Sequence, residues 1–264
     1  MGGAEQPGMM TMPVSSVLPS VEALDAVEAG VFLIDKPAGP TSFRVVQQVR
    51  RALSVKKVGH AGTLDPFASG LLILCAGRPA TRIIDRLMGG EKEYEATLRL
   101  GVETDTLDLE GTVVAQRPVP PLDRATVEAC LAGFVGEQLQ TPPRFSALKH
   151  KGKPLYYYAR KGVEVVKEPR RIVIHQLRCL GIEREAISFR VCCSKGTYVR
   201  TLAADIGTAL GCGAHLIALR RLRNGPFSVK DALPGDGLND REQARELLEA
   251  HRMSVDQALA RLTG

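Results

Sequence analysis

The fold is most constrained by a series of short apolar or alternating runs along the chain. Val31 to Ile34 and Leu71 to Ala76 are continuous apolar runs, which are typical of buried strands. Tyr94 to Leu100 alternates between polar and apolar residues, and further strands are predicted over 171–181 and 187–193. Helical stretches fall between these strands without regular alternation. The sequence therefore predicts an α+β fold around a mixed or antiparallel sheet.

The predicted helices follow residues that can cap a first turn. Thr41 and Ser42 can cap a helix whose apolar stripe contains Phe43, Val46, Val49 and Leu53. Further helices are predicted over 123–134 and 197–210, and two short amphipathic helices over 239–262. Gly111 to Ala115 is expected to be a strand that neighbours the strand beginning at Tyr94.

Charge is distributed unevenly along the 264 residues. The net charge is +6; residues 1–30 contribute −4 and residues 231–264 contribute −3, so residues 31–230 carry +13. A body this basic between acidic ends indicates a polyanionic partner, although a basic protein can also simply be a soluble one. The charge pattern thus favours nucleic acid binding without requiring it.

The same sequence predicts three segments and excludes several functional classes. A flexible acidic extension is expected over 1–28, a globular domain over 29–232 and a short helical tail over 233–264. No secretory signal or membrane-spanning helix is expected, and the six cysteines lack zinc spacing. The nucleotide-binding and zinc-protease motifs are also missing.

One loop carries a candidate catalytic carboxylate. Asp65 lies among small residues between Gly59 and Gly70, and Pro66 biases it toward an extended conformation. Stiff loops of this kind often carry chemistry. An Asp before a proline is also an ordinary turn or helix cap, so the loop alone leaves both interpretations open.

Tyrosine and arginine side chains supply candidate partners for that carboxylate. Tyr198 and Arg200 lie at a predicted helix start, where an arginine can hold a carboxylate bidentately and lower its pKa. Tyr198 can stack on a base or relay a proton, and Tyr94 can be a stacking platform or lie in the core. An ordinary surface helix with an exposed arginine is the alternative.

A basic segment over 144–178 is typical of a structured RNA surface. It has ten Lys or Arg residues against two Glu, with Phe145 and three consecutive tyrosines from Tyr156 interleaved. Basic side chains pair with phosphates, and aromatic rings stack on exposed bases. We therefore expect this segment to contact RNA.

Taken together, these motifs resemble the TruB family of tRNA pseudouridine synthases. The resemblance runs from Val31 to Leu222 and is carried by seven motifs: Leu33–Pro37, Gly59–Pro66, Gly77–Arg82, Lys92–Tyr94, Phe145–Lys149, Lys195–Arg200 and Leu219–Arg221. It implies a pseudouridine synthase fold with a mixed, largely antiparallel sheet flanked by helices and an RNA-gripping insertion. The implied reaction isomerises uridine 55 in the T loop of tRNA, on a flipped-out nucleotide, without a cofactor or metal.

The resemblance also implies residue roles. Asp65 would be the nucleophile, Arg200 its ion-pair partner, Tyr94 a stacking platform for uracil, and Tyr198 the group that serves proton removal. His60 and Leu219 would contact the displaced RNA and line the pocket, respectively. The other expected RNA contacts are Lys36, Lys149, Lys151, Lys153, Tyr156 and Arg160. Whether Asp65 forms an adduct with the ribose or leads to a glycal stays open.

The expected partner is the T arm of tRNA, bound by a cytoplasmic monomer without a guide RNA. Two other functions remain as alternatives: an RNA-binding module without chemistry, and a synthase guided by a separate RNA. The tail over 233–264 is acidic and too short for the usual RNA-binding PUA domain of the family. A weaker grip on the acceptor end of tRNA is expected as a result.

Overall fold

A computed structural model describes most of the chain. The described residues are 1–2, 29–146, 148–159, 161–163 and 165–263, with the side chains of Lys149 and Pro154 left out. The predicted extension over 1–28 lies outside them except for its first two residues. The division of the chain at residues 28 and 232 stays a prediction.

The strands that form the main sheet alternate irregularly with helices along the chain. They are β1 (Gly30–Lys36), β2 (Val58–His60), β3 (Ser69–Ala76), β4 (Lys92–Leu100), β7 (Gly136–Gln140), β10 (Arg170–Glu183), β11 (Ala186–Cys193), β12 (Ala214–Asn224), β13 (Phe227–Ser228) and β14 (Leu233–Pro234). Two small two-stranded sheets are formed by β5 (Val102–Thr104) with β6 (Val113–Gln116) and by β8 (Lys149–His150) with β9 (Lys153–Pro154).

The main sheet is mixed and mostly antiparallel, as predicted. Its order is β14-β1-β3-β12-β4-β11-β10-β7, with β2 added to β3 and β13 to β12. Only the pairs β1–β14 and β3–β12 are parallel in this described sheet. The predicted α+β class is confirmed.

Helices cover the sheet unequally, and this explains the two kinds of strand pattern. They are α1 (Ser42–Ala52), α2 (Arg78–Thr81), α3 (Ile84–Leu87), α4 (Arg124–Ala132), α5 (Leu155–Ala159), α6 (Val199–Ala209), α7 (Arg241–Ala250) and α8 (Val255–Thr263). One face packs against α1, α4, α6 and α7, whereas β1 and β3 are also covered on the other face by α2, α3 and α8. Strands buried on both faces are continuously apolar, and β4, covered on one face, alternates.

Two local predictions are wrong. Phe43 is exposed, because the buried stripe of α1 instead follows Ser42, Val45, Val46 and Val49 at helical spacing. The strand predicted near Gly111 is β6, and it pairs with β5 and not with β4. Both edges of β4 are already hydrogen-bonded, to β11 and to β12.

The segment after residue 232 packs on the sheet. β14 pairs with β1, and Val31 and Met253 exchange backbone hydrogen bonds of 2.9 and 3.1 Å. Leu248 of α7 and Ala258 of α8 are fully buried. The two helices predicted over 239–262 are confirmed. α7 packs in the hydrophobic cluster on one face of the sheet, and α8 packs in the cluster on the other face.

Candidate active site

The loop that carries Asp65 joins β2 to β3 and is held by hydrogen bonds to the first residue of α1. The Ser42 hydroxyl donates to the Leu64 carbonyl at 2.8 Å and accepts from the Leu64 N–H at 2.9 Å. The Ala68 N–H donates to the Asp65 carbonyl at 3.1 Å, which closes a turn. Asp65 therefore lies in a turn outside any helix.

Arg200 holds the carboxylate of Asp65 with two of its nitrogens. Nε of Arg200 lies 3.0 Å from Oδ2 of Asp65, and Nη2 lies 3.5 Å from Oδ1. The arginine side chain is 6% exposed and the aspartate side chain 33% exposed. The predicted ion pair is thus formed between a buried arginine and a carboxylate that solvent or a ligand can reach.

Asp108 is a second carboxylate on the same arginine. Its Oδ2 lies 3.0 Å from Nη1 of Arg200, and its side chain is only 4% exposed. The Thr106 hydroxyl and the Glu110 N–H donate to its Oδ1 at 2.5 and 3.0 Å. Sequence reasoning missed Asp108, because its turn-forming neighbours show a local role and nothing shows that it faces a helix 92 residues away.

Burial and charge act in opposite directions on Asp65. Burial is the largest influence and raises the pKa of its carboxyl, and Asp108 raises this pKa further. Arg200 and Lys36 lower it, but they do not outweigh burial. The sequence predicted that Arg200 lowers the pKa; its contribution has that sign, while the net shift is upward.

The two tyrosines lie on different elements and differ in burial. Tyr94 of β4 is buried, and burial raises the pKa of its phenol, to which the Asp65 charge adds. Tyr198 is half-buried and precedes α6. Both amide atoms of the buried Gln140 bond the Tyr198 backbone, at 2.8 and 3.2 Å. Gln140 was not singled out from the sequence, since it belongs to no chemical motif.

His60 and Leu219 lie on strands beside the loop. Nδ1 of His60 is buried without a hydrogen-bond partner among the described residues. Burial, and then the charge of Arg221, lower the pKa of this imidazole and so favour its neutral form. Leu219 is buried on β12, directly across from Ala96 of β4.

Lys36 departs from its predicted role. It was expected to contact RNA, but its side chain is fully buried. Its ammonium donates to the carbonyls of Pro37, Pro40 and Pro66, at 2.8, 2.8 and 3.3 Å. Burial lowers its pKa to about 8. Lys36 therefore ties the end of β1 to the Asp65 loop, because a buried ammonium bonded to three carbonyls is not available to a phosphate.

The basic segment reaches the site through Phe145, whose carbonyl accepts a 2.7 Å hydrogen bond from Arg200. Beyond it, Lys151 and Lys153 are exposed on the β8–β9 hairpin, and Tyr156 is 43% exposed. The Lys149 side chain and Arg160 lie outside the described residues.

The described part of the chain holds no group of three or more His, Cys, Asp or Glu side chains placed to bind a metal. None of its helices combines the length and apolar character needed to cross a membrane.

Comparison with family models and with known proteins gives a consistent result. Residues 50–199 match the model of the TruB family pseudouridylate synthase N-terminal domain, and residues 200–260 match that of the tRNA pseudouridylate synthase B C-terminal domain. A tRNA pseudouridine synthase B of Desulfotalea psychrophila is 61% identical over 210 residues, 78% of this chain and 85% of that protein. One of Chromohalobacter salexigens is 49% identical over 233 residues, 88% and 75% of the two chains.

Solved structures share the fold. The match to a chain in the crystal structure of a Cbf5–Nop10–Gar1 complex has a TM-score of 0.67 at 30% identity. It covers 88% of this chain and 62% of that one, so this chain spans less than two thirds of it. A structure of an H/ACA RNP bound to a substrate RNA matches with a TM-score of 0.61 at 28% identity.

Proposed function

The chain belongs to the TruB family of pseudouridine synthases, and from this premise we propose that it isomerises uridine 55 in the T loop of tRNA to pseudouridine. The observation that carries the proposal is the Asp65 carboxylate, one third exposed and held by the buried Arg200, inside the stretch that matches the family. Relatives named tRNA pseudouridine synthase B support tRNA as the substrate.

In this proposal Asp65 is the group that starts the reaction. The target uridine is flipped out of its loop so that the carboxylate can reach the ribose. Asp65 either adds to C1′ as the N1–C1′ bond breaks, or takes a proton from C2′ as that bond breaks and a glycal forms. The uracil then rotates and its C5 bonds to C1′; in the first route the bond between Asp65 and C1′ breaks in this step, and in the second the proton returns from Asp65 to C2′. The proton on C5 then passes to N1 through a base and solvent. Both routes need Asp65 in its ionised form.

The remaining site residues orient the uridine and move protons. Arg200 keeps the carboxylate aligned and opposes the upward pKa shift that burial causes. Tyr94 stacks on the flipped uracil, and Tyr198 serves removal of the C5 proton, with its backbone fixed by Gln140. His60 lies against the displaced RNA, and Leu219 lines the pocket.

The RNA stem is proposed to lie on the hairpin and helix that follow Phe145. Lys151 and Lys153 are exposed there and can pair with phosphates, and the exposed ring of Tyr156 can stack. Lys149 and Arg160 keep their proposed RNA-binding role. Lys36 is not one of these RNA-contacting residues; its ammonium instead holds the Asp65 loop through the Pro66 carbonyl.

The test is pseudouridine formation on an unmodified T-arm stem-loop, mapped with a chemical probe. The parent chain should form pseudouridine at the position equivalent to 55, and Asp65→Asn should form none while it still binds the RNA. Asp85→Asn, at an exposed position on α3, is the matched control and should react like the parent. Substantial turnover by Asp65→Asn would remove Asp65 from the proposed role.

We further propose that the chain acts as a cytoplasmic monomer without a guide RNA. Its cysteines are all free thiols among the described residues, which suits a reducing compartment. Purified protein should modify bare tRNA, and its mass in solution should be that of one chain. A requirement for added RNA would favour a guided synthase, and tight binding without product would favour a binding module.

A further inference from the structure

Arg221 is a fully buried arginine directly beneath the Asp65 loop. It lies on β12, with Tyr94 of β4 on one side and Gly70 of β3 on the other in the sheet register. Its side chain is 1% exposed. Among the described residues no carboxylate forms an ion pair with it, which is unusual because buried charges normally have an opposite charge as partner.

The guanidinium of Arg221 is instead satisfied by backbone carbonyls. Nε donates to Leu71 at 2.7 Å, Nη2 to Gly62 at 3.0 Å, and Nη1 to Thr63 at 3.4 Å. The last two carbonyls belong to residues that lie just before Asp65 in the loop. A planar guanidinium can reach several acceptors in fixed directions at once, whereas a lysine ammonium cannot reproduce this fork.

The same residue also adjoins a second part of the site. Arg221 lies directly across from Tyr94 in the register of β12 and β4, and its charge lowers the pKa of the Tyr94 phenol against the larger effect of burial. One buried residue therefore lies next to both the loop that carries Asp65 and the tyrosine proposed to stack on the uracil. Gly62 has a φ of +99°, and a Cβ added to it would lie 3.4 Å from Nη1 of Arg221, so the loop backbone and the guanidinium are closely fitted.

Arg221 brings a positive charge that nearby titratable groups respond to. Its charge adds to burial in lowering the pKa of His60, Lys36 and Lys92. The acidic groups that face these residues, such as Asp65 beside Lys36, act in the opposite direction. For His60, burial is the larger influence and the charge of Arg221 adds to it.

We propose that Arg221 is a positioning residue of this active site: its guanidinium holds the backbone of the loop before Asp65 on β3 and next to Tyr94 of β4. It acts through these groups and does not itself touch the uridine. The inference rests on the proposed function, because the positions it sets matter only if Asp65 and Tyr94 act on the uridine.

Two substitutions separate the geometry from the charge. Arg221→Lys keeps a positive charge but loses the fork, so single-turnover pseudouridine formation should fall by about 100-fold, as expected for misplaced reacting groups, while RNA affinity is retained. Arg221→Met removes the charge as well. Arg220→Met, on the same strand but in a partly exposed ion pair with Asp35, is the matched control and should react like the parent.

The titration of His60 is a readout that a purely structural role would not move. Its imidazole resonance, assigned with His60→Gln, should titrate at higher pH in Arg221→Met and near the parent position in Arg221→Lys. A folded Arg221→Lys with the parent rate would overturn the positioning role, and so would a loss of RNA affinity as large as the loss of rate. If the parent itself forms no pseudouridine, the proposed function fails, while the titration still tests Arg221.

Discussion

At the scale of single residues, the site is a set of buried charges that only partly neutralise one another. Arg200 lies between two carboxylates, Asp65 and Asp108, so one positive charge is shared by two negative ones. Asp108 is satisfied by Thr106 and a backbone N–H and is the more buried of the two. Asp65 keeps an exposed edge that a ligand can reach, while its upward-shifted pKa opposes the ionised form that the proposed reaction needs.

This balance predicts a change in pH dependence. Turnover needs ionised Asp65, so the rate falls as the pH drops through the pKa of that carboxyl. Arg200 lowers this pKa. Removing it in Arg200→Gln should therefore move the acidic limb of the single-turnover profile to higher pH, and should lower the plateau rate by about 100-fold or more.

Asp108→Asn supplies the comparison of opposite sign. Asp108 raises the pKa of Asp65, so its neutralisation should move the acidic limb to lower pH. Shifts of both variants in the same direction would show that the charges on Arg200 and Asp108 do not set the ionisation of Asp65.

At the scale of elements, helix starts hold the loops that carry the chemistry. Thr41 caps α1 through a 3.1 Å bond from the Arg44 N–H, and the next residue, Ser42, bonds Leu64 in both directions. At α6, Gln140 of β7 bonds the N–H and the carbonyl of Tyr198. The Asp65 loop is thus attached to a rigid element at the neighbouring residue Leu64, and the start of α6 is attached at Tyr198 itself.

Ser42→Ala tests this attachment. It leaves the N–H and carbonyl of the buried Leu64 unpaired, which should lower the free energy of unfolding by about 1–3 kcal/mol. It should also lower turnover, because the loop before Asp65 is released. Thr41→Ala is the matched control: it removes the cap, at a cost of about 1 kcal/mol, and should retain turnover. Equal turnover in the two folded variants, measured with thermal unfolding, would contradict the attachment.

At the scale of the whole molecule, the basic charge is concentrated between acidic ends. Residues 31–230 carry +13, and the exposed hairpin lysines lie on a segment joined to the site through the Phe145 carbonyl. Such a charge distribution favours association with a polyanion. The basic segment and the Asp65 carboxylate are therefore both bonded to Arg200.

Salt dependence tests that surface. Lys153→Ala should weaken binding of the T-arm RNA and reduce the slope of log K against log salt by about 1, because one phosphate contact is lost. Arg99→Ala also removes one positive charge, near the end of β4 that is farther from Tyr94, and serves as the control variant. An equal slope for Lys153→Ala and the parent, measured by titration at several salt concentrations, would remove Lys153 from the RNA surface.

The local features were predictable from the sequence because they depend on neighbours along the chain. Thr41 marks a helix start, and the alternation of β4 marks one buried face. The small residues and the proline of its loop indicated Asp65 as a candidate, and the family resemblance implied that it pairs with Arg200. The sequence predicted that Phe43 belongs to the buried stripe of α1, whereas it is exposed. The position of a helical stripe is ambiguous by one residue when a polar residue, here Ser42, is part of the buried face.

The sequence by itself determined the class of fold and the family, and it predicted Asp65 as the reacting carboxylate. Only the tertiary structure decided that Asp108 shares Arg200, that Lys36 is buried under the loop, and that Arg221 binds that loop while it lies across from Tyr94. The physical reason is that periodicity and turn chemistry report burial and local hydrogen bonding. Which buried charge meets which carbonyl or carboxylate is set by strand register and helix packing between residues far apart in the chain.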